Sequence, residues 1–244
     1  MTRFLSILVL TLFVIPSAQA QDFTDAQKDQ IQKMFKEYLM ENGELIIESV
    51  DKYQTKEAEE TRKSSEVKAK AFLGQIEKQG NYPMTGNKDG DVTLVEFFDY
   101  NCGYCRRALE ELIIVLEKDK NLNVVFLDMP ILGPASLEAS KWSLAAHKQD
   151  KYFEFHSALL NHNGQKDEAA MEKIAKNLSL DLKKLKADKD SKEIADLLSE
   201  NVKQAQEMNV RGTPGFIIDG QVFPGYMPSD RIFEILADIR KQKS

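Results

Sequence analysis

The reading turns on Val92-Thr93-Leu94-Val95-Glu96-Phe97-Phe98-Asp99-Tyr100-Asn101-Cys102-Gly103-Tyr104-Cys105. Val92 to Phe98 is a near-continuous apolar run of strand length, the pattern of a strand buried on both faces. Leu109, Leu112, Ile113 and Leu116 then recur at helical spacing, so the Cys-x-x-Cys pair falls at a strand-to-helix junction. There Cys102 occupies a helix N-terminus, where free N–H groups and the helix dipole favour a thiolate, and Cys105 lies one turn inside. The thiolate is the form that attacks disulfides, and the spacing lets the two sulfurs meet without moving the backbone. Leu122 to Leu127 is a second strand, which completes a strand–helix–strand unit. Glu96 interrupts the first strand six residues before Cys102. An acid in a buried strand is costly without a task or a partner. It reads as a proton relay for Cys105, with an ion pair to a nearby lysine as the alternative.

Composition bounds the rest. The chain has 244 residues, enough for one or two domains, with 42% apolar and 30% charged residues and a net charge of −6. That is ample apolar material for a core, and the acidic balance argues against nucleic acid as a partner. Two cysteines and three histidines exclude a multi-metal protein or a disulfide-stapled scaffold. A Cys₂His₂ zinc set from Cys102, Cys105, His156 and His162 is disfavoured, because the pairs lie far apart compared with a compact finger. The three histidines read as surface or packed residues. No cofactor or metal is expected.

Residues 1–20 carry Arg3, an apolar run from Phe4 to Ile15, and Ala18-Gln19-Ala20, the plan of a cleavable secretory signal peptide. The run is too short for a membrane span of about 20 residues. Export to an oxidising compartment suits a reactive dithiol better than a structural staple, since a disulfide closing so small a loop constrains the unfolded chain little.

Residues 21–66 read as an amino-terminal helical oligomerisation region with a charged helical linker. Thr24-x-x-Gln27 is a capping box, and Ile31, Met34, Phe35, Tyr38 and Leu39 recur at helical spacing until Asn42-Gly43. Leu45, Ile46, Ile47 and Val50 follow. Gln54 to Glu66 is then almost wholly polar, with Glu59–Lys63 and Glu66–Lys70 in favourable i,i+4 order. So few apolar residues rarely fold alone, which leaves association between chains or folding back onto the main domain. Apolar character returns at Val67, Ala71, Phe72, Leu73 and Ile76, and the turn-rich stretch 79–91 reads as the entrance to the main domain.

Residues 134–208 are helical in pattern. Strands resume at Phe216-Ile217-Ile218, turn at Asp219-Gly220 and return through Gln221-Val222-Phe223 as a hairpin; a helix from Ser229 to Lys241 closes the chain. Thr213-Pro214 precedes the hairpin. A cis bond there would place the Thr213 backbone beside the cysteines, open to an extended peptide; an ordinary trans turn is the alternative.

Phe97-Phe98-Asp99-Tyr100-Asn101-Cys102-Gly103-Tyr104-Cys105, the helical stretch and Thr213-Pro214 together resemble the DsbA family of thiol–disulfide oxidoreductases. The amino-terminal helices and Pro130-Ile131-Leu132-Gly133-Pro134 resemble its ScsC-type, Com1-like branch. The resemblance implies an α/β, thioredoxin-like fold over residues 67–244 with a helical domain inserted at about 130–209, preceded by the oligomerisation arm. It makes Cys102 the nucleophile, Cys105 the resolving cysteine, Glu96 the buried acid and Pro214 a cis-proline. Gly103-Tyr104 and Thr213, in place of the Pro-His and valine of the oxidase members, resemble the isomerase DsbC. The implied protein is periplasmic, acts on exported proteins as a disulfide isomerase or reductase, and works as a homotrimer recharged by a DsbD- or ScsB-like membrane reductase. A dithiol oxidase served by a DsbB-like partner is the alternative, and a copper(I)-handling thiol protein a more distant one.

Overall fold

The computed structural model describes residues 22–243; the signal-peptide reading of residues 1–20 lies outside them. The chain divides into two compact units, at Thr55 and Lys56.

In the first unit α1 (Asp25–Glu41) opens with the expected capping box: Thr24 accepts from the Gln27 N–H while the Gln27 side chain accepts from the Thr24 N–H. Asn42 stops it, its N–H bonded to the Tyr38 carbonyl, and α2 (Gly43–Gln79) begins at once. No residue of α1 is buried. Phe23, Ile31, Met34, Phe35 and Tyr38, with Leu45, Ile46, Ile47 and Val50 of α2, are all exposed, Phe35 at 63%.

The polar stretch and the returning apolar residues belong to one helix, α2. It carries the i,i+4 pairs Lys52–Glu48, Lys56–Glu60, Lys63–Glu59 and Arg62–Glu66. Glu66 thus pairs backward with Arg62, not forward with Lys70. Val67 is 70% exposed, because the buried face runs through Ser65, Ala69, Phe72 and Ile76, and Val67 lies off that line.

The second unit is built on a five-stranded sheet in the order β1-β3-β2-β4-β5. β2 (Val92–Phe98) and β3 (Leu122–Asp128) run parallel through α3 (Gly103–Lys118). β4 (Gly215–Ile218) is antiparallel to β2 and pairs with β5 (Gln221–Pro224). Asp219 and Gly220, both at positive φ, make the hairpin turn. The turn-rich stretch 79–91 contains a strand the sequence did not announce, β1 (Met84–Gly86), antiparallel to β3. Three residues, two of them partly buried and Gly86 exposed, carry no periodicity; their strand character comes from pairing with Asn123–Val125.

Both faces of the central strands are covered. On one, Leu94, Phe98, Val124, Phe126 and Phe216 pack under α3 and α9 (Ser229–Lys243), with Trp142 and Phe155 from the helical insertion. On the other, Val95, Phe97, Val125 and Leu127 meet Phe72 and Ile76 of α2. The insertion comprises α4 (Pro134–His147), α5 (Tyr152–Leu160), α6 (Glu168–Asn177), α7 (Leu182–Lys189) and α8 (Lys192–Glu207). Asp167, Asp181 and Ser191 cap the last three through side-chain oxygens.

Candidate functional site

The turn between β2 and α3 is fixed by Asp99, which sequence reasoning passed over. Asp99 is fully buried and accepts hydrogen bonds from Asn101 N (2.8 Å), Leu132 N (2.9 Å) and Ser136 Oγ (2.6 Å). Asn101 Nδ2 also donates to Ser136 Oγ at 2.9 Å. The loop after β3 and the first turn of α4 are thereby tied to the cysteine turn. A carboxylate bonded to that many donors is an inexpensive buried charge.

Cys102 is the N-cap of α3, and no side chain caps that end. It is half-buried, whereas Cys105 is fully buried, and both are free thiols. In its thiol form Cys102 Sγ donates to the Thr213 carbonyl at 3.2 Å. The hydrogen bond from Cys105 is the largest influence that lowers the Cys102 pKa to about 5; the Thr213 side chain and the backbone N–H groups of Cys105 and Tyr104 act the same way, against burial. The same bond to Cys102, then burial, then the nearby Glu96 charge push the Cys105 thiol far up. One sulfur is thus poised as an accessible thiolate and the other as a shielded thiol.

Glu96 is fully buried on β2, and neither carboxylate oxygen has a hydrogen-bond partner among the described residues. The lysine ion pair considered from sequence does not occur among them. Burial, and secondarily the Cys102 charge, raise its pKa well above the usual carboxylate range.

The Thr213–Pro214 bond is cis, and the hydrogen bond to Thr213 brings this loop against Cys102 across 111 positions of sequence. Beside it lies a groove of about 460 Å³ lined by Val210, Arg211, Thr213, Pro214, Pro224 and Gly225. Gly103 is the first residue of α3. Tyr104 is 58% exposed; the Arg107 guanidinium lies 5.3 Å from its ring centroid and the Tyr226 ring 6.2 Å away. Glu111 holds Tyr226 there, accepting from its hydroxyl at 2.7 Å and from Ser229 N at 2.8 Å.

His156 is packed inside rather than at the surface. It is fully buried among Phe98, Phe126 and Tyr152, its Nδ1 is 3.1 Å from the Tyr100 hydroxyl, and burial lowers its pKa to about 3. No group of three or more His, Cys, Asp or Glu side chains among the described residues is placed to hold a metal.

Comparison with known proteins agrees with this geometry. Residues 78–238 match the thioredoxin family model, and residues 27–60 match the copper resistance protein ScsC N-terminal domain. A solved thioredoxin-like oxidoreductase from Silicibacter pomeroyi is 36% identical, with a TM-score of 0.65 over 68% of this chain and 96% of that one. A linker-deletion variant of Proteus mirabilis ScsC, 22% identical, shares the fold with a TM-score of 0.66 over 93% of this chain and 100% of its own. A curated relative, the Na(+)/H(+) antiporter NhaA 1 of Salinispora arenicola, is 30% identical over 138 residues. That match takes in 56% of this chain and 21% of the antiporter, so the chain spans about a fifth of that relative's length. The Cys-x-x-Cys follows a parallel strand, meets the cis-proline loop at Cys102 and lies within the field of the buried Glu96. The chain belongs to the thioredoxin family, and its residues 27–60 are similar to the ScsC N-terminal domain.

Proposed function

We propose that the protein is an exported, periplasmic thiol–disulfide oxidoreductase that isomerises or reduces disulfides in other exported proteins. The observation that carries this reading is the division of labour between the two sulfurs: Cys102 accessible with a pKa of about 5, Cys105 buried and shifted far up.

Cys102 thiolate attacks a substrate disulfide; the bond from its Sγ to a substrate sulfur forms, the substrate S–S bond breaks, and a substrate thiolate leaves. For isomerisation that thiolate, or another from the same substrate, attacks the substrate sulfur of the mixed disulfide and returns Cys102 thiolate. For reduction Cys105 passes its proton to Glu96 and attacks Cys102 Sγ, releasing the substrate as a thiolate and leaving a Cys102–Cys105 disulfide. Burial makes Glu96 basic enough to accept that proton. The groove beside Thr213 and Pro214 receives an extended substrate segment, and Gly103, Tyr104 and Thr213 tune the redox balance. Two electrons from a DsbD- or ScsB-like membrane reductase restore the dithiol.

The first unit supports self-association without selecting a dimer over a trimer, and the ScsC-like resemblance favours a homotrimer. Its large apolar side chains are exposed within one chain, and each buried fully on association would contribute about 1.5–3 kcal/mol. Several Cys102 thiolates around one substrate suit isomerisation. The oxidase reading draws support from the Cys102 pKa itself, which lies between the values of about 3.5 and 7 found for strongly oxidising and reducing Cys-x-x-Cys thiols. Activity on a scrambled substrate against activity on a reduced one separates the two. Efficient refolding of the scrambled form with slow oxidation of the reduced form is expected; the reverse pattern makes it an oxidase.

A further inference from the structure

The dithiol mechanism uses one buried acid, yet the same core holds another. Asp128, the last residue of β3, is fully buried. In the parallel β2–β3 register Glu96 stands opposite Phe126 and Phe98 opposite Asp128, so both acids point to the face that also buries Phe98, Phe126 and Cys105. Asp128 is reached from the cysteine turn through side chains alone. Tyr100, two residues before Cys102, bonds through its hydroxyl to Ser143 Oγ of α4 and lies 3.1 Å from His156 Nδ1 of α5. The His156 ring stacks on Tyr152, with 5.5 Å between centroids and 16° between planes, and Tyr152 donates to Asp128 Oδ2 at 2.8 Å.

The chain is incompletely satisfied at its far end. Asp128 Oδ1 and His156 Nε2 are buried without a hydrogen-bond partner among the described residues. His156 of α5 adjoins Tyr152 and Tyr100, and Ser143 of α4 bonds Tyr100; the groups facing Asp128 itself are Tyr152, Ser140 of α4, and Tyr100 and Asp99 from the cysteine turn. Asn201 of α8 donates to its backbone carbonyl at 3.2 Å, and the His147 ring meets Tyr152 edge-on. None of these is a cation at neutral pH; burial lowers the pKa of both His147 and His156. A buried half-satisfied polar network costs stability, and atoms left unmet in one call for a functional explanation.

We propose that Asp128 is a positioning residue of the redox site, a second buried acid that acts on the cysteine turn through Tyr152, His156 and Tyr100 and takes up a proton when the Cys102–Cys105 disulfide is reduced. The inference rests on the dithiol reading above. In the balanced step two electrons from an external thiol reductant and one proton convert the disulfide to Cys102 thiolate and Cys105 thiol. A further proton, from solvent, neutralises Asp128, so the core that gains a thiolate does not also hold an ionised Asp128. Burial places the Asp128 pKa at about 7, in the range where such an uptake occurs at working pH.

The test is the dithiol–disulfide equilibrium of the full-length protein against glutathione, followed over a pH series on both sides of neutrality. The wild type, Asp128→Asn and Tyr152→Phe are compared, and thermal unfolding reports that each is folded. Where Asp128 is protonated only in the reduced form, the equilibrium constant for reduction falls with rising pH by up to about one extra power of ten per pH unit. Asp128→Asn should lose that extra slope around pH 7 while keeping the slope common to both. Tyr152→Phe keeps the acid and removes its donor, so the extra slope should move to higher pH. A purely structural Asp128 would change the unfolding temperature and leave the slopes superimposed. Superimposed slopes for wild type and Tyr152→Phe, or for wild type and a folded Asp128→Asn, overturn the proposal. The dithiol reading is checked separately by Cys102→Ser: retained exchange sinks that reading, whereas lost exchange with superimposed slopes sinks the role of Asp128 alone.

Discussion

Helices α1 and α3 are nearly equal in length, 17 and 16 residues, and both carry a periodic apolar stripe, but only one of them is covered. In α3, Cys105, Ala108, Leu109, Leu112 and Val115 are buried against the sheet; in α1 nothing is buried. Periodicity in a sequence announces a face and says nothing about what covers it. The covered stripe gives the two sulfurs fixed and unequal surroundings, which is what a dithiol mechanism needs. The uncovered stripe has no cover within one chain among the described residues, and that is the ground for the proposed association between copies.

The sharpest way to break the comparison is chemical. Cys102→Ser should reduce thiol exchange to the uncatalysed level, and Cys105→Ser should retain attack but accumulate mixed disulfides with substrate, visible on non-reducing gels. Equal loss in both variants would erase the distinction between the two sulfurs. Packing comes next. Leu109→Ala in α3 should cost about 2–5 kcal/mol in urea unfolding, and Phe72→Ala in α2 about 3–5 kcal/mol. Phe35→Asp in α1, combined with Ile46→Asp, should leave the unfolding of the second unit unchanged while light scattering falls from an oligomer to a monomer.

Smaller still is a pH effect. Glu96 and Asp128 both have folded-state pKa values raised by burial, so the stability they permit is full below the ordinary carboxylate range and is lost as pH rises through the folded values, about 7 for Asp128. Glu96→Gln should therefore unfold at higher urea than wild type at pH 8 and converge with it at pH 4, while its mixed disulfides resolve more slowly. Convergence at both pH values would mean that the Glu96 pKa is the same in the folded and unfolded states. The smallest expected effect is Val67→Ala: this exposed residue should change stability by less than about 0.5 kcal/mol, although it sits five residues from Phe72 on the same helix.

The two central strands, the cysteine junction and the helical insertion were legible because each rests on a local pattern, an apolar run or a 3.6-residue period. Glu96 was legible for the same reason, as a charge breaking a buried run. What escaped depends on contacts between distant residues. Strand β1 exists through its pairing with β3, and the aromatic rings around His156 decide between the packed and surface readings that the sequence left open for it. Asp99 was passed over because its partners Leu132 and Ser136 lie 33 and 37 positions away in sequence. Asp128 had a faint signal: strand alternation sets it on the same face as Val124 and Phe126, yet an acid at the end of a run reads as the strand's polar exit. The exposure of Val67 depends on the phase of the helix, whose buried line runs through Ala69, Phe72 and Ile76.

The account rests on Cys102 being the ionised, attacking sulfur at neutral pH. Titration of the thiolate ultraviolet absorbance of the reduced protein tests this directly, with Cys102→Ser and Cys105→Ser as controls. A transition centred at about pH 5, absent in Cys102→Ser, is the expected result. A protein without thiolate absorbance below pH 8, or one in which Cys105 alkylates faster than Cys102 at pH 7, would contradict it.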